Sequence, residues 1–151
     1  MKVLFATPQV MILFTVLSFL LSGVALAKTP PDINHQLRST IAKVRRAKTT
    51  AERLDAAERL VALTDDRDCS AITNETIHSL VSLLDIEDDG VRMWVAAALG
   101  DIGPRASEAI PKLLSILSVS ACMVADRGSA ATIPIALTKM GETPPQINCQ
   151  R

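Results

Sequence analysis

Aromatic rings are what this sequence most lacks. It has no tyrosine, one tryptophan and three phenylalanines, and Phe5, Phe14 and Phe19 all precede residue 28. Trp94 is therefore the one aromatic residue from Lys28 onward, which argues against sites built on ring stacking, such as single-strand nucleic-acid platforms or aromatic cages. Zinc spacing is missing too. Cys69, Cys122 and Cys149 form no C-x-x-C pair, and His35 and His78 stand far from all three. Neither histidine has a carboxylate or nucleophile spaced to make a catalytic group with it, and there is no G-x-S-x-G elbow or P-loop. Asp85, Glu87, Asp88 and Asp89 cluster, but they lack the alternating ligands of a calcium loop and read as residues placed before a helix N-terminus. These gaps point away from an enzyme and from any bound cofactor or metal.

One long hydrophobic run is present, and only near the start. Lys2 precedes a nearly unbroken apolar stretch from Val10 to Leu21, and Ala25-Leu26-Ala27 is a small-x-small cleavage site. The pattern predicts a signal peptide over residues 1–27 and an exported product, periplasmic or secreted. The competing reading is a retained anchor. The run is short for a span of ~20 residues and Ser22-Gly23 interrupts it, so no membrane span is expected after cleavage. Lys2 is the only charge in that segment, leaving 15 basic and 16 acidic residues beyond it. Their distribution is polarised. Lys28 to Arg59 holds eight basic and four acidic residues, and Leu60 to Asp101 holds two and nine. A charge-polarised surface suits oriented protein contacts better than nucleic acid, which requires one basic face.

What the chain does have is helical periodicity. After a Pro-containing lead-in at 28–32, Ile33, Leu37, Ile41 and Val44 share one face of a helix over 33–47 whose outer face carries Arg38, Lys43, Arg45 and Arg46. Thr49-x-x-Glu52 is a capping box for a helix to about Leu63, with Leu54, Ala57, Leu60 and Leu63 inward. Ile77, Leu80, Val81 and Leu84 mark a third helix over 74–84. Asp88 or Asp89 caps a fourth, in which Val91, Val95, Ala98, Leu99 and Ile102 line up. Gly103-Pro104 ends it, with glycine expected in the left-handed conformation. Ile110, Leu113, Leu114 and Leu117 form the stripe of a fifth helix, with Pro111 in its first turn, and a sixth spans Asp126 to Met140. Pro144-Pro145 ends regular structure, leaving a tail over 142–151.

The fourth and sixth helices repeat one another. Asp88, Gly90, Ala98, Leu99 and Gly103 recur 38 residues later as Asp126, Gly128, Ala136, Leu137 and Gly141. Arg53, Ala57 and Leu60 answer Arg92, Ala96 and Leu99 from 39 residues earlier. Each helix pair buries one stripe and leaves apolar surface at both sides, the condition of a unit that needs neighbours.

Asp88-x-x-Val91-Arg92, Ala96-Ala97-Ala98, Leu99-Gly100-Asp101-Ile102-Gly103 and Ala109-Ile110-Pro111-x-Leu113 resemble a HEAT repeat of the short, phycobilisome-lyase-like type. The resemblance implies an all-α domain over residues 33–141, a short α-solenoid of about three antiparallel helix pairs. Such stacks are usually non-enzymatic protein-binding or assembly scaffolds. In this family an arginine at the place of Arg92 commonly joins an Asp–Arg ladder between repeats, and Ala130 interrupts that series.

The expected ligand is therefore another protein, with no nucleic acid partner. The rival role is a small inhibitor or immunity-type protein that blocks an exported enzyme, and a third is an enzyme accessory acting on a tetrapyrrole. The resemblance puts the second helix of each pair on the concave side, which nominates His78, Ser82, Lys112 and Ser115 as binding residues, with the basic face around Arg38, Arg45 and Arg46 as the fallback. Trp94, three residues after Val91 and four before Ala98, is either core packing between repeats or an interface anchor. In an oxidising compartment three cysteines give one disulfide and one leftover thiol. In the implied alternating stack Cys69 and Cys122 lie ~20 Å apart at opposite helix ends. The tail from Gly141 to Cys149 can extend ~30 Å. Cys122–Cys149 is accordingly the expected bridge and Cys69–Cys149 the runner-up.

Overall fold

Residues 32–65, 67–120 and 128–146 are described by the computed structural model. Every regular element among them is a helix: α1 (Ile33–Arg46), α2 (Thr50–Thr64), α3 (Asn74–Val81), α4 (Asp89–Ile102), α5 (Ile110–Ser120) and α6 (Ser129–Lys139), with 3-10 turns at Cys69–Ala71, Ser82–Asp85 and Gly103–Ala109. The fold is all-α, as the periodicity predicts. No described helix is long and apolar enough to cross a membrane. The segment 1–27, most of the lead-in, residues 147–151 and the expected Cys122–Cys149 bridge lie outside the described residues.

Side-chain caps set most of the helix starts. Asp32 accepts from the Asn34 amide ahead of α1, and Thr73 accepts from the Thr76 amide ahead of α3. Thr49 and Glu52 form the full capping box of α2: the Glu52 amide donates to Thr49 Oγ1 at 3.2 Å and the Thr49 amide to Glu52 Oε2 at 3.3 Å. At α4 the capping carboxylate is Asp88, which takes the Val91 amide at 3.1 Å. Asp89 is spent elsewhere, accepting from both the hydroxyl and the amide of Ser129 at the start of α6. Each such cap is worth ~1 kcal/mol.

Helix ends depart from the sequence expectations in three places. The third helix is α-helical only to Val81 and then tightens into the 3-10 turn Ser82–Asp85. The stretch before Ile110 is likewise 3-10, so α5 proper begins at Ile110 with Pro111 in its first turn. Gly103 does end α4, but at φ +73°, ψ −145° rather than in the left-handed helical well. Pro104 follows it, and proline drives the preceding residue away from compact ψ values. The result is a positive-φ, extended conformation that glycine alone adopts cheaply.

The helices stack in two layers. In one, α4 packs between α2 and α6; in the other, α3 lies against α1, while α1 also packs on α2 and α5 on α6. The stripes read from the sequence form the core: Leu37, Val44, Leu60, Ile77, Leu80, Leu84, Val95, Leu99, Leu113, Leu117 and Leu137 are essentially fully buried. Burying each large aliphatic side chain contributes ~1.5–3 kcal/mol. Small residues on α4 let its neighbour come close. A Cβ at Gly100 would stand 2.9 Å from the Ala136 Cα of α6. The hydrogen bonds between successive units recur at a spacing near the sequence repeat. Asn34 accepts from the Thr73 amide at 2.8 Å and the Thr76 hydroxyl at 3.0 Å, and the Thr64 hydroxyl donates to Asp101 at 3.2 Å.

Arg92 Nε donates to the Leu84 carbonyl at 3.2 Å. Arg53, its counterpart in α2, donates in the same manner to the Ala47 carbonyl at 3.4 Å. Each arginine ties the second turn of its helix to the end of the helix before.

Candidate binding surface

The outer faces of α1, α3 and α5 carry a row of polar side chains that join one helix to the next. Arg38 on α1 stands 3.8 Å from Glu75 on α3. Arg45, two turns further along α1, donates to the Ser82 hydroxyl at 2.6 Å, and Ser82 donates in turn to the Ser79 carbonyl at 2.6 Å. Further along, His78 on α3 stands 3.8 Å from Glu108 in the 3-10 turn before α5, and Asp85 in the 3-10 turn after α3 stands 2.6 Å from Lys112 on α5. Ser115 is exposed one turn beyond Lys112.

Four of the residues nominated from sequence thus share this layer: His78, Ser82, Lys112 and Ser115. The fallback site belongs to the same surface, because Arg45 bonds Ser82 directly and Arg38 pairs with Glu75. Trp94 is not part of the row. It lies on α4, in the other layer, half-buried against the core. An exposed ion pair such as Arg38–Glu75 contributes ~0–1 kcal/mol, so the row is held together weakly.

Beside the row, α1 and α2 enclose an open groove of about 740 Å3. His35, Arg38, Lys43, Arg46 and Arg59 supply its basic lining, and Ala42, Ala47 and Ala56 part of its apolar wall. A second hollow of about 440 Å3 shares His35, Ser39, Lys43 and Arg59 and continues the groove along the same helices. The two acidic residues in the lining are already engaged. Glu52 closes the capping box and also accepts the Lys48 amide at 3.0 Å, while Asp55 pairs with Arg59 at 2.9 Å.

The acidic residues Asp85, Asp88 and Asp89 are divided among separate structural tasks. Asp85 holds Lys112, Asp88 caps α4 and Asp89 holds Ser129. Among the described residues no group of three His, Cys, Asp or Glu side chains is placed to hold a metal ion.

Sequence reasoning passed over three polar residues that the fold uses heavily. Arg105, just after the Gly-Pro corner, donates to the carbonyls of Cys69, Ser70 and Ile72 at 2.9, 2.7 and 2.6 Å, clamping the 3-10 turn between α2 and α3. Asn34, buried, bonds the Ala71 carbonyl through its amide and Thr73 and Thr76 through its oxygen. Asp101 joins the ends of three helices. Beside the Arg105 clamp, burial pushes the Cys69 thiol pKa up, the Asp101 and Asp68 carboxylates push the same way, and the Arg105 guanidinium opposes them. The Ser70 hydroxyl and amide hold the Asp68 carboxyl below the usual carboxylate range. A hint was present for Asp101 alone, since Thr64, Asp101 and Lys139 sit 37 and 38 residues apart.

No family model matches the chain, and no curated protein or solved structure matches it.

Proposed function

We propose that the chain is a non-enzymatic protein-binding or assembly scaffold of HEAT-like helix pairs, exported to the periplasm or secreted after removal of residues 1–27. The observation that carries this reading is the row of cross-helix polar pairs over α1, α3 and α5, running Arg38–Glu75, Arg45–Ser82, His78–Glu108 and Asp85–Lys112. The row is extended and polar, and its pairs are weak enough to trade for a partner's groups. That arrangement suits recognition over a broad surface, with hydrogen-bonded contacts of modest affinity. The two-layer stack and the recurrence of Arg53 and Arg92 in one structural role support the repeat reading.

The test is quantitative capture from an envelope extract by the tagged chain, native against Ser82→Glu/Lys112→Glu. Both side chains lie outside the core, so far-UV circular dichroism should remain that of the native helical protein. Capture of the specific partner should weaken with the double change. If every captured protein is retained equally by native and variant chains, the row is not the binding surface. Sequencing the N-terminus of the exported product should find Lys28 first; a product beginning at Met1 would support the anchor instead.

A further inference from the structure

We propose that the groove between α1 and α2 docks an acidic segment of the partner protein, with peptide carboxylates seated against Lys43 and Arg46. This rests on the protein-binding reading above and adds the chemistry of what is bound. The side chains of Lys43 and Arg46 line the groove and are exposed, yet neither pairs with a described carboxylate. The groove's own acids are occupied, Glu52 by backbone amides and Asp55 by Arg59. Lys43 and Arg46 are thus left to a ligand of the opposite charge, and a carboxylate accepts charge-assisted hydrogen bonds from both ammonium and guanidinium. Arg38 belongs to the groove and to the polar row at once, so a partner lying across the row reaches the groove without a break.

The lining favours a peptide over other polyanions. Glu52 and Asp55 break the positive wall into separate cationic positions, which suits spaced peptide carboxylates better than the regular charge of a phosphodiester backbone, and among the described residues no Phe, Tyr or Trp lines the groove for base stacking. A membrane surface is also a poor fit. The large hydrophobic side chains that stand well exposed are Val119 and Ile135, on α5 and α6, so neither wall of this groove offers an apolar side chain for insertion among lipids. The alanine patches of the wall accommodate the methylene stems of Glu side chains.

The probe is a fluorescently labelled oligoglutamate peptide, titrated with the full chain and followed by anisotropy. The native protein should bind it saturably. Binding should weaken as ionic strength rises from about 0.01 M to about 0.15 M, which shortens the Debye length from about 30 Å to about 8 Å. Lys43→Ala/Arg46→Ala should weaken binding by about tenfold, the change expected when two charge-assisted contacts at an exposed site are lost. Ser82→Glu/Lys112→Glu, outside the groove, should have a much smaller effect. Zero-length carbodiimide coupling of the bound peptide to the native chain adds a readout that needs no variant: peptide mapping should find the new amide at Lys43. The proposal is overturned if the native chain shows no saturable binding, if the alanine pair binds as well as native, or if coupling falls on other lysines instead. Tighter binding of labelled oligothymidylate or of phosphatidylserine vesicles would overturn it in favour of nucleic acid or membrane. Loss here, with capture that still depends on Ser82 and Lys112, would leave the scaffold reading standing with a partner that is not acidic. Peptide binding that depends on Lys43, with capture indifferent to Ser82 and Lys112, would remove the row and keep the groove.

Discussion

Lys139 Nζ lies 2.7 Å from Asp101 Oδ1, joining the last turn of α6 to the last turn of α4. The other oxygen of that carboxylate accepts the hydroxyl of Thr64, the last residue of α2, at 3.2 Å. One residue at the end of each helix in the α2–α4–α6 layer thus meets its neighbours, and the series threonine, aspartate, lysine runs across the stack. The Asp101 side chain is only 8 % exposed. It also sits at a helix C-terminus, where the negative end of the dipole disfavours a carboxylate. Lys139 is what makes that placement tolerable.

The two halves of the pair should therefore respond unequally to removal. Lys139→Ala leaves a nearly buried carboxylate at a negative helix end with a single hydroxyl for company, and should cost ~1–3 kcal/mol. Asp101→Ala leaves a lysine that is half exposed to water and a Thr64 hydroxyl that still reaches the Leu60 and Val61 carbonyls, so it should cost ~1 kcal/mol or less. The double variant should be more stable than the sum of the two losses allows, by ~0.5–3 kcal/mol of coupling. Urea denaturation of the four chains of the cycle measures this directly. Equal single losses that simply add would mean that the pair does not hold α6 to α4.

Much of the helical skeleton was legible because its causes are local. The Thr49–Glu52 box, the Asp88 cap and the buried stripes of Leu37, Leu60, Leu80, Leu99 and Leu113 all follow from spacings within one or two turns. What could not be read was set by partners that are distant in the chain. Asn34 looks like a solvated polar residue until the Ala71 carbonyl and Thr76 are brought against it, and Arg105 looks like a surface charge until three carbonyls converge on its guanidinium. The same holds for the candidate binding surface. His78, Ser82 and Lys112 are nominated by the resemblance, but their joining to Glu108, Arg45 and Asp85 depends on how α1, α3 and α5 lie side by side. The tightening of Ser82–Asp85 into a 3-10 turn had no sequence signal that periodicity could detect.

Two glycines of α4 and its end should separate conformational strain from crowding. Gly103 has room for a methyl group, its nearest contact for a new Cβ being the Lys139 carbonyl oxygen at 3.6 Å, but its φ of +73° with extended ψ penalises any L side chain. Gly103→Ala should cost ~1–3 kcal/mol through the backbone alone. Gly100 is ordinary helix, where alanine would gain ~1 kcal/mol of propensity. There the new methyl would meet the Ala136 backbone at 2.9 Å, and overpacking of ~1–3 kcal/mol should outweigh the gain. Trimming the opposing side chain, Ala136→Gly, should restore part of the loss at Gly100→Ala and none of it at Gly103→Ala. Thermal melts of the singles and the combinations decide. A stabilised Gly100→Ala would show that α6 can move away from α4 at little cost.

Cys69 should make the fold sensitive to alkaline pH. Its side chain is buried and its Sγ donates to the Thr64 carbonyl at 3.5 Å. Burial first, then the Asp101 and Asp68 carboxylates, raise its pKa in the folded chain, against the smaller opposing pull of Arg105. In the unfolded chain the thiol ionises near pH ~8.5. Below that value both states keep the proton and stability is at its full value. Above it the unfolded chain releases a proton that the folded chain retains, and stability falls as pH rises through the folded value. The sequence contains no tyrosine to confuse the window, and the lysines are common to the native chain and to Cys69→Ser. The difference in urea midpoint between neutral and alkaline buffer should therefore be larger for the native chain than for Cys69→Ser, under reducing conditions for both. In the variant the hydroxyl still donates to the Thr64 carbonyl and nothing at the site titrates. Parallel declines in the two chains would mean that the thiol ionises as readily in the folded protein as in the unfolded one, and that the space between the Arg105 clamp and Asp101 is wetter than its burial indicates.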